Sequence, residues 1–503
     1  MKQDEGAGLV LCGWADYLSA MMKIAFDNTY ARELAGLYLT VQGDRAPAPR
    51  LLQLNRGLAE ELGLDPAALE GAAGLAMLTG AAMPEGAAPL AMAYAGHQFG
   101  GFSPQLGDGR ALLVGEVIDR AGQRRDIQLK GSGPTPFSRG GDGKAAVGPV
   151  LREYILGEAM HALGIPTTRA LAAVATGERV LRQEGPLPGA VLARVASSHI
   201  RVGTFQFFAA RGQIELLRRL ADYAIARHDP DLVDKSDRYM GFLHRVIARQ
   251  MELVAQWMAV GFVHGVMNTD NCTVSGETID YGPCAFVDGY DPAAVFSSID
   301  HAGRYAYENQ PVLAQWNLAR LAEALLPLIA PEDPKAALPE VQAVIEGAAG
   351  VYAKAWRARF GAKLGLAATE PGDDALIDGF LELLTAARAD FTQSFRALGM
   401  AAQAGAEPEV LSSAAGQDWR ARWLTRLEAE TGAVARMDGS NPVIVPRNHN
   451  VEAALAAAQS GDMAAVERLL AALAQPFEER PDFADLTGPA PEDFGRYVTF
   501  CGT

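Results

Sequence analysis

The order in which strand-like and helix-like patterns follow one another constrains the fold more than any other feature of the sequence. In the first half, β-branched and apolar residues between glycine turns predict strands at 112–117, 126–130, 170–181 and 190–195. One amphipathic helix is predicted between these strands, over 150–163. The second half is mostly helical. Strands and helices that are segregated along a chain predict an α+β fold.

Beyond residue 205, apolar side chains recur at helical spacing, and no internal repeat is visible. The predicted elements there are a long helix ending at Gly261, short strands at 262–266, 272–274 and 285–287, helices from Val312 into the 430s, and a helix over 451–473. Residues 27–90 are predicted to form short helices and loops.

The composition excludes several classes of function. The chain of 503 residues is 49% hydrophobic, which is enough to bury a sizeable core, and its net charge of −16 argues against binding a nucleic-acid backbone. The cysteines Cys12, Cys272, Cys284 and Cys501 include no C-x-x-C pair and are too sparse for a disulfide framework or a zinc site. We therefore expect no nucleic-acid partner and a reducing compartment.

Membrane and targeting signals are also lacking in the sequence. No uncharged apolar stretch reaches roughly 18 residues, so we expect no membrane span and no membrane partner. The N-terminus carries Asp4 and Glu5 where a secretory signal would be basic, and Met21 or Met22 is a candidate native start. The expected location is the cytoplasm.

Two short loops in the second half carry oxygen ligands suited to a hard cation. Asn271 closes the segment Asn268-Thr-Asp-Asn271, and Asp280 follows nine residues later in Asp-Tyr-Gly-Pro. Mg²⁺ bound to a nucleotide takes one or two protein oxygens, and phosphates supply the others. Each loop taken alone is more simply explained as a turn, because Asn, Asp and Gly are turn-forming residues.

The spacing of the first loop matches the catalytic segment of protein kinases. His264 and Asn271 stand seven residues apart, as in the pattern H-x-D-x-x-x-x-N that precedes D-F-G. Val266 occupies the position of the kinase base, and Asp270 is the available replacement. A carboxylate there can orient or deprotonate an attacking hydroxyl group. His264 itself is expected to be structural.

A glycine turn and a strand that ends on lysine predict a phosphate site upstream. Gly107, Gly109 and Arg110 lie in a turn whose backbone N–H groups can approach anionic oxygens, although Gly-Asp-Gly is also an ordinary hairpin turn. Lys130 ends the strand at 126–130, and a half-buried ammonium group needs an anionic partner unless it reaches solvent. Glu153 on the predicted helix is the expected partner, as in the lysine–glutamate pair of kinases.

Further glycines and two arginines extend this predicted phosphate site. Asp142 and Gly143 lie in a glycine-rich segment that kinases lack between the lysine strand and the following helix. Arg194 lies on a predicted strand and Arg201 follows it, and guanidinium groups suit phosphate oxygens. Either arginine alone is explained by a surface salt bridge. Together with Lys130 they predict a polyphosphate pocket.

The catalytic spacing and the strand-to-helix order predict a two-lobed, protein-kinase-like fold with N- and C-terminal extensions. The predicted organisation is an N-terminal extension over 1–95, a kinase-like N-lobe with nucleotide-binding glycine loops over 96–204, a helical kinase-like C-lobe with the catalytic and metal loops over 205–440, and a C-terminal helical tail with a terminal cysteine over 441–503.

Several longer segments resemble the selenoprotein O family, from about residue 25 to the C-terminus. These segments are Phe26-Asp-Asn-Thr-Tyr, Tyr94-Ala-Gly-His-Gln-Phe-Gly-Gly-Phe, Gln105-Leu-Gly-Asp-Gly-Arg110, Gln128-Leu-Lys-Gly-Ser-Gly133, His264-Gly-Val-Met-Asn-Thr-Asp-Asn271 and Asp280-Tyr-Gly-Pro283. The resemblance implies a pseudokinase that transfers AMP from ATP to Ser, Thr or Tyr hydroxyl groups of proteins and releases pyrophosphate. It also implies that ATP is bound inverted relative to kinases.

The resemblance implies a role for each matching residue. Those implied to contact the nucleotide are Gly107, Gly109, Arg110, Lys130, Asp142, Gly143, Arg194, Arg201 and Asp280. Asn271 and Asp280 are implied to bind Mg²⁺, with Mn²⁺ as an alternative, and Asp270 to accept the proton. Inverted binding accounts for the additional glycines and arginines, because the triphosphate then lies where a kinase holds adenosine.

The family places selenocysteine or cysteine near the C-terminus, where this chain has Cys501. The resemblance implies that this residue can bridge to a cysteine near the active site under redox control. Cys284 is the expected partner, ahead of Cys272.

Two other functions stay open at this point: a conventional ATP-dependent kinase, and a non-catalytic nucleotide-binding module that regulates a partner. The presence of Lys130, Asp270, Asn271 and Asp280 speaks against the second. The expected partners are protein substrates with hydroxyl side chains, and the sequence leaves the oligomeric state open.

Overall fold

The computed structural model describes residues 23–183, 185–405 and 408–499. Two of the cysteines, Cys12 and Cys501, lie outside these ranges. Within them, no helix combines the length and the apolar character that crossing a membrane requires.

Most of the described strands join one antiparallel sheet. The strands are β1 (Tyr38–Thr40), β2 (Arg50–Leu54), β3 (Leu90–Met92), β4 (Gly96–Gln98), β5 (Gly101–Ser103), β6 (Ala111–Ile118), β7 (Arg124–Lys130), β8 (Ala145–Ala146), β9 (Arg169–Arg182), β10 (Gly185–Ala196), β11 (Phe262–Val263) and β12 (Ala285–Phe286). The order in the sheet is β1-β3-β6-β7-β10-β9-β2, with β8 paired to β10. The pairs β4–β5 and β11–β12 form separate small sheets.

Helices dominate the chain after β10. The described helices are α1 (Thr29–Glu33), α2 (Arg56–Glu61), α3 (Pro66–Glu70), α4 (Ala72–Thr79), α5 (Val147–Ala162), α6 (Val202–Ala209), α7 (Ile214–His228), α8 (Arg238–Ala259), α9 (Gln310–Ile329), α10 (Leu338–Lys363), α11 (Asp373–Ala387), α12 (Phe391–Ala404), α13 (Ala414–Leu427), α14 (Ala433–Ser440), α15 (Asn448–Gln459) and α16 (Ala464–Leu473). The expected α+β class is therefore correct.

The central strands of the sheet bring polar side chains onto one face. In the β6–β7 hairpin Ala111 lies opposite Lys130, and in the β7–β10 pair Gln128 lies opposite Arg194. Because side chains alternate between the two faces of a strand, Gln128 and Lys130 share a face, and the residue opposite Gln128 points the same way. The register thus gathers Gln128, Lys130 and Arg194.

Helix α5 packs on the sheet and supplies Glu153. It contacts β9 and β10 on the sheet side and α15 and α16 elsewhere, and most of its residues are buried. Leu151 and Ile155 are fully buried in the hydrophobic core that α5 shares with these strands and the two C-terminal helices. The helix is therefore enclosed between the sheet and the C-terminal region.

Helix α8 lies at the centre of the helical half. It contacts α9 and α10, and its apolar stripe includes Leu243, Val246 and Val254, all fully buried. Gly261, with a φ of 73°, turns the chain from the end of α8 into β11. Because β11 precedes the first of the two predicted ligand loops and β12 follows the second, the β11–β12 pair holds both loops together.

The predicted strands at 112–117, 126–130, 170–181 and 190–195 correspond to β6, β7, β9 and β10, and the helix predicted over 150–163 is α5. These elements were predictable because each shows several repeats of its period.

Three local expectations are wrong. No strand forms at 272–274, where Thr273 makes an isolated bridge to Arg201. The helix expected over 451–473 is two helices, because the chain turns at Gly461 with a φ of 98°. The region 27–90, expected to form helices and loops, also contributes strands to the sheet. These strands are too short to show a period in the sequence.

Candidate active site

Lys130, Glu153 and Asp280 form a compact charge cluster between β7, α5 and the second ligand loop. Lys130 Nζ lies 2.7 Å from Glu153 Oε2 and 2.5 Å from Asp280 Oδ1. The side chain of Lys130 is 12% exposed and that of Glu153 is 7% exposed. Charges this well shielded from water need partners of opposite sign. The structure thus brings Lys130 together with both carboxylates.

Two arginines complete the cluster. Arg194 Nη1 lies 2.9 Å from Glu153 Oε1 and 2.7 Å from Asp280 Oδ1, and Arg201 Nη1 lies 3.3 Å from Asp280 Oδ2. Both arginine side chains are almost fully buried. Asp280 therefore contacts three cationic side chains. A bound triphosphate would compete with Asp280 for these cations.

Asp280 is held in an uncommon backbone conformation. Its φ of 63° lies in the left-handed region, which non-glycine residues adopt rarely, and its carbonyl oxygen accepts a hydrogen bond from Gly282 N at 2.8 Å. Burial raises the pKa of Asp280, but the positive charges of Lys130, Arg194 and Arg201 outweigh burial and hold the pKa well below its usual range. The carboxylate is therefore ionised.

Asp270 lies in a short turn, Thr269–Asn271, beside the cluster. Its backbone carbonyl accepts a hydrogen bond from Arg201 Nη1 at 2.9 Å, which ties it to the same arginine that contacts Asp280. Its Oδ2 accepts a long hydrogen bond from Gln98 Nε2 at 3.4 Å, while Oδ1 is buried and has no hydrogen-bond partner.

The environment of Asp270 favours its protonated form. Burial raises the pKa of the carboxyl group to about 6, although the positive charge of Arg201 opposes this effect. A carboxylate with a pKa near neutrality and an unpaired oxygen is suited to accepting a proton. The structure therefore places a candidate base next to the cation-rich cluster.

The β4–β5 hairpin contacts the turn Thr269–Asn271, which we call the catalytic turn because it carries the candidate base Asp270. The sequence alone indicates no role for this hairpin. Thr269 Oγ1 accepts a hydrogen bond from His97 N at 2.7 Å, and Asn268 Oδ1 accepts one from Phe99 N at 3.2 Å. Tyr305 OH donates to the same Asn268 oxygen at 2.6 Å. In the sequence, the segment 94–102 contributes only to the resemblance to the selenoprotein O family. The length of this matching segment is the one sequence feature that indicates a function for it.

The predicted glycine turn at 107–109 is folded back against Phe137. A Cβ atom on Gly107 would collide with the Phe137 ring, and one on Gly109 would lie 2.9 Å from the Phe137 carbonyl oxygen. Gly107 also has a φ of 70°. The turn therefore needs both glycines for packing, in addition to any contact with phosphate. Arg110 follows the turn and lines a neighbouring cavity.

Asp142 and Gly143 are not drawn into the charge cluster. Asp142 Oδ2 accepts a hydrogen bond from Arg182 Nη1 at 2.8 Å, and Gly143 has a φ of 65° and packs against the backbone of Gly133. Partial burial raises the pKa of Asp142, but the contacts with Arg182 and Lys144 together outweigh burial, so the pKa lies below its usual value. These two residues shape the glycine-rich segment.

Gln128 and Asp108 are site residues that sequence reasoning missed. Gln128 Oε1 accepts from Arg194 Nε at 2.8 Å, and Gln128 Nε2 donates to Asp108 Oδ2 at 3.2 Å. Asp108 Oδ1 lies 3.7 Å from Arg201 Nη2. Both residues are fully buried. A glutamine on the same strand face as Lys130 was the available signal.

A cavity of about 910 Å³ opens beside the charge cluster. Its lining includes Arg110, Lys130, Glu153 and Arg182, and the C-terminal segment 494–499 forms another part of the wall. The volume lies within the range of about 300–1,000 Å³ that is typical of small-molecule sites. Apolar side chains line much of this cavity, and the ionisable side chains Arg110, Lys130, Glu153 and Arg182 give it a charged end suited to an anionic ligand.

The oxygen donors at 271 and 280 fit a hard divalent cation. Asn271 Nδ2 donates to the Val266 carbonyl at 3.0 Å, which orients the amide, and Asp280 is ionised. Among the described residues, no group of three or more His, Cys, Asp or Glu side chains forms a metal cage. A cation here would need further oxygens from a nucleotide, as Mg²⁺ sites commonly do.

Cys284 lies directly after the Asp280 loop and is fully buried. Burial raises its pKa to about 12, and burial raises the pKa of Cys272 to about 12 as well. Thr499, two residues before Cys501 in the sequence, donates from Oγ1 to the Pro283 carbonyl at 2.8 Å. The described end of the chain is thus anchored next to Cys284, while Cys501 lies outside the described residues.

Comparison with known proteins identifies the family. Residues 20–474 match the model of a family described as protein adenylyltransferase SelO. A protein nucleotidyltransferase YdiU from Cereibacter sphaeroides is 60% identical over 485 residues, which cover 96% of this chain and all of the relative. YdiU proteins from Methylorubrum populi and Bradyrhizobium diazoefficiens are 56% and 55% identical, each over 95% of this chain and 99% of the relative.

The match spans both the strand-rich and the helical halves, so it includes all of the residues that form the charge cluster and the catalytic turn. These similarities favour nucleotidyl transfer over the kinase and the non-catalytic alternatives. The chain therefore belongs to the SelO family of protein adenylyltransferases.

Proposed function

We propose that this chain transfers AMP from ATP to the hydroxyl groups of Ser, Thr or Tyr side chains of other proteins. The observation that carries the proposal is the convergence of Lys130, Arg194 and Arg201 on Asp280 beside the buried carboxylate of Asp270. The hydroxyl oxygen attacks the α-phosphorus of ATP, the bond from that phosphorus to the bridging oxygen breaks, and pyrophosphate leaves.

The three cations bind the triphosphate. In the free protein they contact Glu153 and Asp280, so they are held in position before the nucleotide arrives. Phosphate oxygens then share these donors, and guanidinium groups hold them in a fixed geometry. The same groups stabilise the negative charge that develops on the leaving pyrophosphate.

Asp270 accepts the proton of the attacking hydroxyl group. Its unpaired Oδ1 is the receiving atom, and its raised pKa makes the carboxylate a stronger base than an exposed aspartate. The Gln98 and Arg201 contacts hold the turn in place.

Asn271 and Asp280 would hold the divalent cation, which is Mg²⁺ in this proposal with Mn²⁺ as an alternative. Such a cation neutralises phosphate charge when it is bound with the nucleotide. The remaining predicted nucleotide contacts, Gly107, Gly109, Arg110, Asp142 and Gly143, would line the path of the triphosphate and the nucleoside.

The chain order supports a kinase-like arrangement of two lobes, with the strand-rich region over 96–204 and the helical region over 205–440. Residues 1–95 and 441–503 would be the extensions. The contacts of Lys130 from the sheet with Glu153 from α5 and with Asp280 from the loop between β11 and β12 support this proposal, because a kinase pairs its lysine with a helix glutamate and uses an aspartate to bind metal. We propose the cytoplasm as the location of the reaction, because ATP is abundant there and sparse cysteines stay reduced.

Cys501 would form a disulfide with Cys284 when the protein is oxidised. The anchoring of Thr499 at Pro283 supports this pairing over one with Cys272. The two thiols would lose two electrons and two protons to a small-molecule disulfide, which is reduced to two thiols.

ATP labelled at either phosphate tests the proposed reaction. Incubation with α-labelled ATP and cell lysate should label proteins, γ-labelled ATP should not, and pyrophosphate should be released. Asp280→Ala should abolish labelling. Transfer of the γ label would show that the protein is a kinase. If neither the α nor the γ label is transferred, the protein is a nucleotide-binding module.

A further inference from the structure

An aromatic surface lies on the solvent side of the β4–β5 hairpin. We call it the hairpin surface and define it by Phe99, Phe102, Arg304 and Trp316. Phe99 is 39% exposed and Phe102 is 42% exposed, although both are large hydrophobic residues. The His97 ring lies 4.8 Å from the Phe102 ring and 5.2 Å from the Trp316 ring, so it joins the aromatic groups into one patch.

The hairpin surface is directly connected to the catalytic turn. Gln98, the neighbour of Phe99, donates to Asp270, and Phe99 N donates to Asn268 Oδ1. The Phe99 ring packs 5.0 Å from the Tyr305 ring, and Tyr305 also donates to Asn268. Any polypeptide that contacts this surface is therefore brought next to the proposed proton acceptor.

Arg304 supplies the surface with a cation that pairs with no acidic side chain among the described residues. Its guanidinium group lies 5.1 Å from the Trp316 ring and 5.8 Å from the Tyr305 ring. Its Nε is buried without a hydrogen-bond partner, and no carboxylate of the described ranges forms an ion pair with it. Arg320 stacks on the same tryptophan at 5.0 Å but pairs with Glu323 at 2.7 Å.

The positive charge of Arg304 differs in sign from the net charge of the whole chain. A net charge of −16 repels acidic proteins, so the positive charge of Arg304 beside the catalytic turn is a local reversal of that field. The aromatic groups around it suit apolar side chains, and aromatic residues and arginine are the types enriched where proteins bind one another. The phosphates of ATP do not require Arg304, because Lys130, Arg194 and Arg201 in the charge cluster are available to bind them.

Strand β5 adds a place for backbone pairing. Within the described part of the chain, β5 pairs with β4 alone, and Gly101 and Phe102 are exposed. An extended peptide can add to such a strand edge through main-chain hydrogen bonds, while alternate side chains give specificity.

We propose that the hairpin surface docks an extended segment of the protein substrate that carries an acidic side chain for Arg304 and an apolar side chain for Phe99 and Phe102. This inference rests on the proposed function and specifies its substrate class. The acceptor hydroxyl group belongs to a residue of the same segment and is presented to Asp270.

Matched peptides test the proposal. Each pair shares a central Ser, Thr or Tyr and a leucine, and its members differ in having aspartate or lysine at the flanking positions. The parent chain should modify the aspartate peptides with the higher kcat/KM. Arg304→Glu should lower kcat/KM on them by roughly tenfold or more, which corresponds to about 1.4 kcal/mol, and should favour the lysine peptides. Its affinity for ATP should not change.

Arg422→Glu is the matched control, because Arg422 is an exposed arginine of α13 that pairs with Asp418. It should leave the peptide preference unchanged. Phe102→Ser is a second variant that keeps all charges, and it should raise KM for peptides that carry leucine more than for those that carry asparagine instead. ATP binding reports that each variant is folded.

Two results overturn the proposal. One is an unchanged aspartate preference in Arg304→Glu together with an unchanged KM in Phe102→Ser. The other is a loss of ATP affinity in Arg304→Glu, which would assign this arginine to the nucleotide. If the parent chain transfers no α label to any peptide or protein, the proposed function itself fails, and this outcome is distinct from transfer without an acidic preference.

Discussion

Gln128 Oε1 accepts a hydrogen bond from Arg194 Nε at 2.8 Å, and both side chains are fully buried. The amide fixes the plane of the guanidinium group, whose Nη1 is thereby directed to Glu153 and Asp280. A neutral strand residue thus sets the orientation of a cation in the charge cluster.

Gln128→Leu should therefore weaken ATP binding. The variant leaves Arg194 Nε unpaired, and a buried hydrogen bond to a charged group is worth roughly 1.5–3 kcal/mol. We expect KM for ATP to rise by about tenfold or more. The measurement is the steady-state rate of pyrophosphate release against ATP concentration. Gln123→Leu, at the exposed β6–β7 turn, is the control and should behave as the parent.

Replacing Asp270 with asparagine should slow transfer and spare nucleotide binding. Asparagine keeps the size of the side chain and can still bind Gln98, but it cannot accept the proton. Loss of a general base lowers the rate by roughly 100- to 10,000-fold. The measurement is the single-turnover rate with α-labelled ATP, alongside the dissociation constant of ATP. A parent-like rate would remove Asp270 from the chemistry.

Gly96→Ala should disturb the catalytic turn. The new Cβ atom would lie 2.5 Å from Asp270 Oδ1 and 2.7 Å from Leu106 Cδ1, distances that force Asp270 to move. We expect a decrease in kcat that exceeds any decrease in melting temperature. Gly101→Ala, on the partner strand, is the matched control because its nearest neighbour would be 3.5 Å away. Equal kcat values for the two variants would contradict the expectation.

Lys363 should make the stability of the protein depend on pH. Its side chain is 1% exposed, its Nζ lies 4.2 Å from the Phe395 ring, and burial lowers its pKa from 10.5 to about 7. Between these two values the unfolded chain binds a proton that the folded chain does not. The free energy of unfolding therefore rises as pH rises from about 7 towards 10.5, and the penalty is fully present below about 7.

Lys363→Met should remove this dependence and stabilise the protein at neutral pH by roughly 2–5 kcal/mol, since each pKa unit is worth about 1.4 kcal/mol. The measurement is thermal unfolding by calorimetry at neutral and alkaline pH. Lys354→Met, at an exposed position of the same helix, is the control. If both variants keep the pH dependence of the parent, Lys363 remains protonated in the folded state.

Oxidation of the protein should link Cys284 to Cys501 slowly. The thiolate is the reactive form, and a pKa of about 12 leaves little of it at neutral pH, so the rate of linkage should rise with pH. The measurement is peptide mapping under non-reducing conditions after incubation with glutathione disulfide. Cys284→Ser should abolish the linkage and Cys272→Ser should not. Mapping that finds no Cys501 linkage would rule the pairing out.

The strands and helices that were predicted correctly are those whose apolar residues repeat several times, such as β6, β9 and α5. The short strands β1 and β3 escaped prediction because three residues carry no period. The break at Gly461 was overlooked because alanine and leucine continue on both sides of it, and only the left-handed φ shows the turn.

The contact between Lys130 and Glu153 could be anticipated because a lysine at the end of a buried strand requires an anion. The support of the catalytic turn could not. Phe99 and Asn268 are 169 residues apart in sequence, and Phe99 and Tyr305 are 206 residues apart. Hydrogen bonds between such distant loops depend on the whole fold, and nothing in either local sequence predicts them.

The enclosure of α5 has a consequence for control of the enzyme. The helix is buried on two sides, against β9 and β10 and against the C-terminal helices α15 and α16, and this packing restricts its movement. In a protein whose equivalent helix can move outward, the lysine–glutamate contact breaks and re-forms, and this movement switches activity off and on. In this chain Leu151, Ile155 and their neighbours hold α5 in place, so we expect control to act on entry into the cavity and on access to the hairpin surface rather than on movement of this helix.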